Sequence, residues 1–159
     1  MNLRDKLKED TILLPIQAST MEDAIQEQLH HLQNLDILTG TDILFSIIKG
    51  HEENLPSAAG RGIAYPHATS KEVDELVCVL GISKSGVDFN SPDGHLCHLV
   101  LLTLSPENET DAHRKFISRF RTMFDNPDVR SQLLDANAIE DVIEIVDNWE
   151  EKESRTDEL

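Results

Sequence analysis

Two short segments restrict the fold of this chain more than any other feature. Leu76-Val77-Cys78-Val79-Leu80-Gly81-Ile82 and Leu99-Val100-Leu101-Leu102-Thr103-Leu104 are apolar runs with almost no polar alternation. A strand with one face in water alternates apolar and polar side chains. A strand without that alternation needs cover on both faces. The two runs therefore predict central strands held between layers of helices.

The flanking sequence supplies those helices. Leu3 and Leu7 make a short amphipathic start, and Ile12 to Ile16 reads as a strand, with Pro15 marking an edge or an end. Ser19-Thr20-Met21-Glu22 has the form of a capping box. Met21, Ala24, Ile25, Leu29 and Leu32 follow at helical spacing. Thr41 can cap a second helix with Ile43, Leu44, Ile47 and Ile48 on its apolar face, ending near Gly50. Residues 51–62 read as a loop, punctuated by Asn54, Pro56, Ser57, Gly60 and Gly62. From Thr110, a helical stripe carries His113, Phe116, Ile117, Phe120 and Phe124. Pro127 suits the first turn of a further helix, and Ala138 to Trp149 makes the last one. The expected fold class is α/β, a three-layer sandwich with a small mixed β-sheet flanked by helices. Residues 1–150 are expected to form a single domain, and 151–159 an acidic C-terminal tail.

Charge narrows the functions open to such a fold. Asp and Glu number 30 against 14 Lys and Arg, a formal net charge of −16. That balance excludes a nucleic-acid partner, which needs a cationic surface, and disfavours docking on an anionic membrane. Half of the charge falls in residues 135–159, where ten acidic side chains face only Lys152 and Arg155. Such a run reads as a solvated helix face leading into a frayed end. The first ten residues are charged and lack the apolar core of a signal peptide, and no apolar run is long enough to span a membrane. Cys78 and Cys97 both lie in apolar surroundings and are expected as buried thiols in a reducing cytoplasm.

One segment carries chemistry: Gly60-Arg61-Gly62-Ile63-Ala64-Tyr65-Pro66-His67-Ala68-Thr69. Two glycines permit positive φ or close approach of the backbone. Ile63-Ala64-Tyr65 can form a short strand that Pro66 ends. His67 is then expected on a stiff loop beside the hydroxyls of Thr69 and Ser70, a setting that can hold an anion. His113 falls in the first turn of its helix, where the positive dipole end favours neutral imidazole and attracts phosphate. Its bland reading is a hydrogen-bonded core histidine. His95-Leu96-Cys97-His98 invites a metal, but on a strand His98 would face away from His95 and Cys97. No second ligand pair with zinc spacing accompanies it, and no G-x-S-x-G elbow supports a hydrolase.

The segment resembles the phosphorylation-site motif of enzyme IIA of the fructose/mannitol type, from the bacterial phosphotransferase system. The family pattern G-x-G-[IV]-A-x-P-H reads here as Gly60-Arg-Gly-Ile-Ala-Tyr-Pro-His67. The similarity covers most of the chain, and in length it is similar to the free-standing nitrogen-regulatory branch. The resemblance implies a mannitol-type enzyme IIA fold and phosphoryl relay without a metal or other cofactor. It implies His67 as the phosphoryl acceptor and His113 as the supporting residue, with phosphate held among Gly62, Thr69, Ser70, Arg61 and His51. The implied donor is the phosphohistidine of the carrier HPr or a paralogue. The implied outlet is a cysteine of an enzyme IIB, or a regulated transporter or kinase. The family usually has arginine where this chain has His51, sixteen positions before the motif histidine. Many members also have arginine where it has Thr69, although the mannitol branch has threonine. The alternative is a regulatory binding module of the same fold that transfers no phosphate.

Overall fold

A strand apolar on both faces must pair along both edges and be covered above and below. The computed structural model, which describes residues 2–108 and 110–157, meets both demands. The strands are β1 (Ile12–Leu13), β2 (Ala58–Gly60), β3 (Ile63–Ala64), β4 (His67–Thr69), β5 (Val77–Val87) and β6 (Cys97–Ser105). The helices are α1 (Met21–Asn34), α2 (Asp42–Asn54), α3 (Thr110–Phe124), α4 (Pro127–Asp135) and α5 (Ile139–Asp157). The two apolar runs become β5 and β6, an antiparallel pair at the centre of a mixed sheet ordered β1-β5-β6-β3-β2. On the far edge of β6, β3 and then β4 pair with it in parallel.

Alternation along the central strands divides the interior in two. Cys78, Leu80, Ile82, Leu99 and Leu101 pack against Phe116, Phe120, Phe124, Val142 and Val146 of α3 and α5, with Leu3 and Leu7 closing that core. Val79, Val100, Leu102 and Leu104 pack on the other face against Ile25, Leu29, Leu32 and Ile48 of α1 and α2. The result is the expected three layers. Each such side chain, fully buried, contributes about 1.5–3 kcal/mol. Gly81 sits in the middle of β5 because a side chain there has no room. A Cβ would lie 2.3 Å from Ile16 Cδ1 and 3.0 Å from the amide nitrogen of Gln28. That amide donates to the carbonyls of Val79 and Val100, tying α1 to both central strands.

Several local expectations shift. Thr20, not Ser19, caps α1, accepting from the Asp23 N–H at 3.2 Å. Thr41 stands at the N-cap of α2 but its hydroxyl makes no capping bond. α2 does not stop near Gly50. Gly50 meets no steric demand and the helix runs on to Asn54, so His51 and Glu52 lie in its last turn rather than in a loop. Ile43 and Ile47, expected on its buried face, are exposed. α5 likewise continues through residues 151–157, the segment expected to fray.

Glu150 is the clearest departure from a solvated acidic face. Its buried carboxylate accepts from the backbone N–H groups of Leu3 and Arg4 at 2.9 and 3.1 Å, and pairs with Arg119 at 3.0 Å. It therefore ties the N-terminal turn to α3 and α5. Glu150→Ala should cost about 2–3 kcal/mol, because two N–H donors and a guanidinium lose their acceptor. The exposed neighbour Glu151→Ala should stay within about 0.5 kcal/mol. Urea unfolding midpoints of the two variants check the contrast.

Candidate functional site

The motif turn is built by backbone strain and held by one carboxylate. Gly60, Arg61 and Gly62 take φ of 82°, 57° and 80°, three left-handed residues in succession. Glycine adopts this region freely, and arginine does so only under restraint. The restraint is Asp93, whose Oδ2 accepts from the Arg61 N–H at 2.8 Å. That bond, with those from the Ser91 hydroxyl and the His95 N–H, holds the Asp93 carboxyl down at about 2. The Gly62 carbonyl then accepts from His98 and Leu99 and docks the turn on β6.

Pro66 interrupts the strand without ending it. It has no N–H to donate, but its carbonyl accepts from Thr103 at 3.0 Å, so the chain stays on β6. His67 thus opens β4, opposite Thr103, and does not lie on the expected loop. Its Nδ1 is 3.1 Å from the carbonyl oxygen of Tyr65. A carbonyl only accepts, so Nδ1 carries the proton and Nε2 holds a lone pair. This leaves an exposed imidazole with one nitrogen fixed and the other available as a nucleophile.

Two further rings flank it. The His113 and His51 centroids each lie 5.7 Å from that of His67. His113, half-buried, meets the Thr103 hydroxyl through Nε2 at 3.0 Å. Burial, and then the nearby His67, lower its pKa, so the ring is neutral around pH 7. His67 and His113 border a cavity of about 290 Å³ together with Ser57, Tyr65, Ile117 and Arg121. The Ser57 hydroxyl is buried with no hydrogen-bond partner among the described residues. Its backbone N–H is held by the buried Glu52 carboxylate at 2.9 Å. Arg121 extends over the Tyr65 ring at 5.0 Å. Burial pushes the Tyr65 hydroxyl up to about 12.

The other anticipated phosphate ligands lie differently. Arg61 pairs with Asp125 at 2.7 Å, and it borders a separate depression with Gly62, Asp93 and His98. Thr69 shares the exposed face of β4 with His67, roughly 7 Å along the strand. It and Ser70 line a hollow beside the start of α2. The Ser70 N–H and hydroxyl are engaged by Ser105 and Glu72. Only His51 of that group has its ring beside His67. Sequence reasoning assigns no site role to Thr103, Arg121 or Ser57. Two signals were available: a lone hydroxyl in an apolar run, and the four-residue spacing of His113, Ile117 and Arg121. His98 gives Nδ1 to the Ser83 carbonyl at 2.8 Å, and both cysteines are buried and free. Among the described residues, no helix is long and apolar enough to cross a membrane.

Residues 5–149 match the family described as Phosphoenolpyruvate-dependent sugar phosphotransferase system, EIIA 2. The chain is 31% identical over 146 residues to the PTS system fructose-specific EIIABC component of Bacillus subtilis (strain 168), covering 92% of this chain and 23% of that protein. It therefore spans under a quarter of that relative's length. In fold it is similar to nitrogen regulatory protein IIA-Ntr from Neisseria meningitidis, with a TM-score of 0.81, 23% identity, and coverage of 89% of this chain and 97% of that one. A second likeness is to a structure from Escherichia coli of the complex of the mannitol enzyme IIA and phosphorylated enzyme IIB. Its TM-score is 0.76, at 22% identity, covering 90% of this chain and 98% of that chain.

The two causes of the His113 shift can be separated. Replacing His67 by Gln removes the neighbouring ionisable ring and should raise the His113 midpoint. Burial is the larger cause and remains, so the midpoint should stay below that of an ordinary histidine. Imidazole proton NMR titration reads both effects, and an unmoved midpoint would remove His67 as a cause.

Proposed function

We propose that this chain, which belongs to the EIIA 2 family of the phosphoenolpyruvate-dependent sugar phosphotransferase system, is a phosphoryl carrier that takes its phosphate on Nε2 of His67. The observation that carries this reading is the Nδ1 contact to the Tyr65 carbonyl, which leaves Nε2 unprotonated at the mouth of a donor-bearing cavity.

The step needs no proton movement when the donor ring is protonated at its other nitrogen, so that it leaves as neutral imidazole. The Nε2 lone pair attacks the phosphorus of a phosphohistidine on HPr or a paralogue. The new P–N bond forms as the donor's P–N bond breaks, and the donor nitrogen keeps that electron pair. The His67 proton stays on Nδ1, donated to the Tyr65 carbonyl, throughout. The transition state is loose and anionic, so the protein acts by alignment and by donors aimed at the phosphoryl oxygens. The His113 ring and the Arg121 guanidinium are the donors that the cavity offers. Neutral His113 serves as a donor from Nδ1, with the Thr103 hydroxyl donating to its Nε2.

The onward acceptor in this reading is the cysteine of an enzyme IIB, or the phosphate remains as a regulatory mark. The setting is the cytoplasm, where buried free thiols such as Cys78 and Cys97 persist. Incubation with phosphoenolpyruvate, enzyme I and HPr should add one phosphate to the full chain. His67→Ala should abolish the gain. His113→Ala should slow transfer about 10²-fold, and Arg121→Ala, losing a more exposed cation, about tenfold. Intact-mass time courses measure all three. A wild-type chain that stays unmodified with every carrier tried would leave only the binding-module reading, and a His67→Ala chain that still gains phosphate would overturn His67 as the acceptor.

A further inference from the structure

Relay through His67 and His113 as derived above makes no use of the third ring of the row, His51. His51 is exposed in the last turn of α2, at the negative end of that helix's dipole. Its Nδ1 lies 3.1 Å from the His67 carbonyl oxygen. That oxygen only accepts, so Nδ1 is the protonated nitrogen. In the neutral ring Nε2 is then a bare lone pair, which repels an anionic oxygen. Protonation places an N–H and a positive charge at the same atom. Imidazole is the side chain whose ordinary charge change falls between pH 5 and 8.

We propose that His51 binds the phosphoryl group of phosphorylated His67 only in its imidazolium form, so that the loaded state of this site is favoured by acid. The inference rests on His67 as the acceptor and adds its regulation by pH. A phosphoryl group brings roughly −1.5 to −2 charges, and these land one ring away from His51. By linkage, a proton on His51 and a phosphate on His67 each strengthen the other's hold.

The surroundings leave the imidazolium free for this role. From β4 the facing titratable group is His67 itself, and from α3 it is His113 behind it. On α2, Lys49 pairs with Glu22 of α1 at 3.3 Å, Glu52 is turned onto the Ser57 N–H, and Glu53 is exposed. Beyond β4, Lys71 is exposed and Glu72 is bonded to Thr39. Among the described residues, no carboxylate bonds to the His51 ring. A single anionic partner, the phosphate, would therefore decide whether the charge is useful.

Phosphoramidate, a small phosphoryl donor, tests this on the full chain without a carrier protein. Nε2 of His67 attacks its phosphorus, the P–N bond breaks, and ammonia leaves with a proton from solvent. Wild type, His51→Arg and His51→Gln are phosphorylated between pH 6 and 8.5, and phospho-His67 is quantified by peptide mass mapping. Arginine is charged throughout this range. Dividing wild type by His51→Arg cancels the titration of His67, of His113 and of the reagent to first order. The expected ratio is near one at pH 6 and falls about tenfold by pH 8.5, a difference on the order of that between charge-assisted and neutral hydrogen bonds. His51→Gln divided by His51→Arg should hold the alkaline wild-type ratio at every pH. A flat ratio, with His67 phosphorylated in both proteins, overturns the role of His51 and leaves the carrier reading intact. No phosphorylation of His67 in any of the three overturns both.

Discussion

Thr103 is the residue to which the site is referred. It lies in β6 with no exposed surface, where a polar side chain must be satisfied. Its N–H donates to the Pro66 carbonyl, and its Cα stands in register with His67. Its hydroxyl meets Nε2 of His113. One buried residue therefore sets the position of the His67 ring through the backbone and of the His113 ring through the side chain. Since β6 also pairs with β5 and β3, the site inherits the rigidity of the sheet centre.

The two helical layers meet at this point from opposite faces. α2 ends beside His67 and brings His51, while α3 begins beside it and brings His113. Helix ends are where backbone polarity is uncompensated, so the row of rings runs between a negative and a positive dipole end. The rings are independently held: His67 by the Tyr65 carbonyl, His51 by the His67 carbonyl, His113 by Thr103. Each bond selects which nitrogen is offered, or the partner that completes it. Alignment of this kind is what a loose phosphoryl transition state requires.

Charge is organised locally within an acidic chain. The most acidic helix, α5, is not simply solvated, because Glu150 binds the N-terminal turn and Arg119. Arg61, inside the motif, is neutralised by Asp125. Arg121 reaches the cavity instead, two turns along α3 from His113. The guanidinium that borders the His67 cavity thus comes from the helix covering the sheet and not from the motif loop. Net charge alone carries no information about this, since ion pairing redistributes it by position.

The chain's own order of residues determined the layers. Apolar runs without alternation demanded two-sided cover, and β5 and β6 have it. The helical stripe of α3, the Asn126-Pro127 start of α4 and the motif leading to His67 were legible because each depends on local spacing or local backbone preference. The end of α2 was not legible, because a glycine that breaks a helix and one that merely sits in it look alike until packing decides. For the same reason His51 read as a loop residue. What tertiary structure alone decided was convergence: His51, His67, Thr103 and His113 come from four elements, and no spacing along the chain encodes their meeting. Nor could sequence choose between Arg61 and Arg121, because a guanidinium's reach depends on which carboxylate lies nearby in space. Local patterns specify elements, while the register of β4 on β6 specifies which side chains face one another.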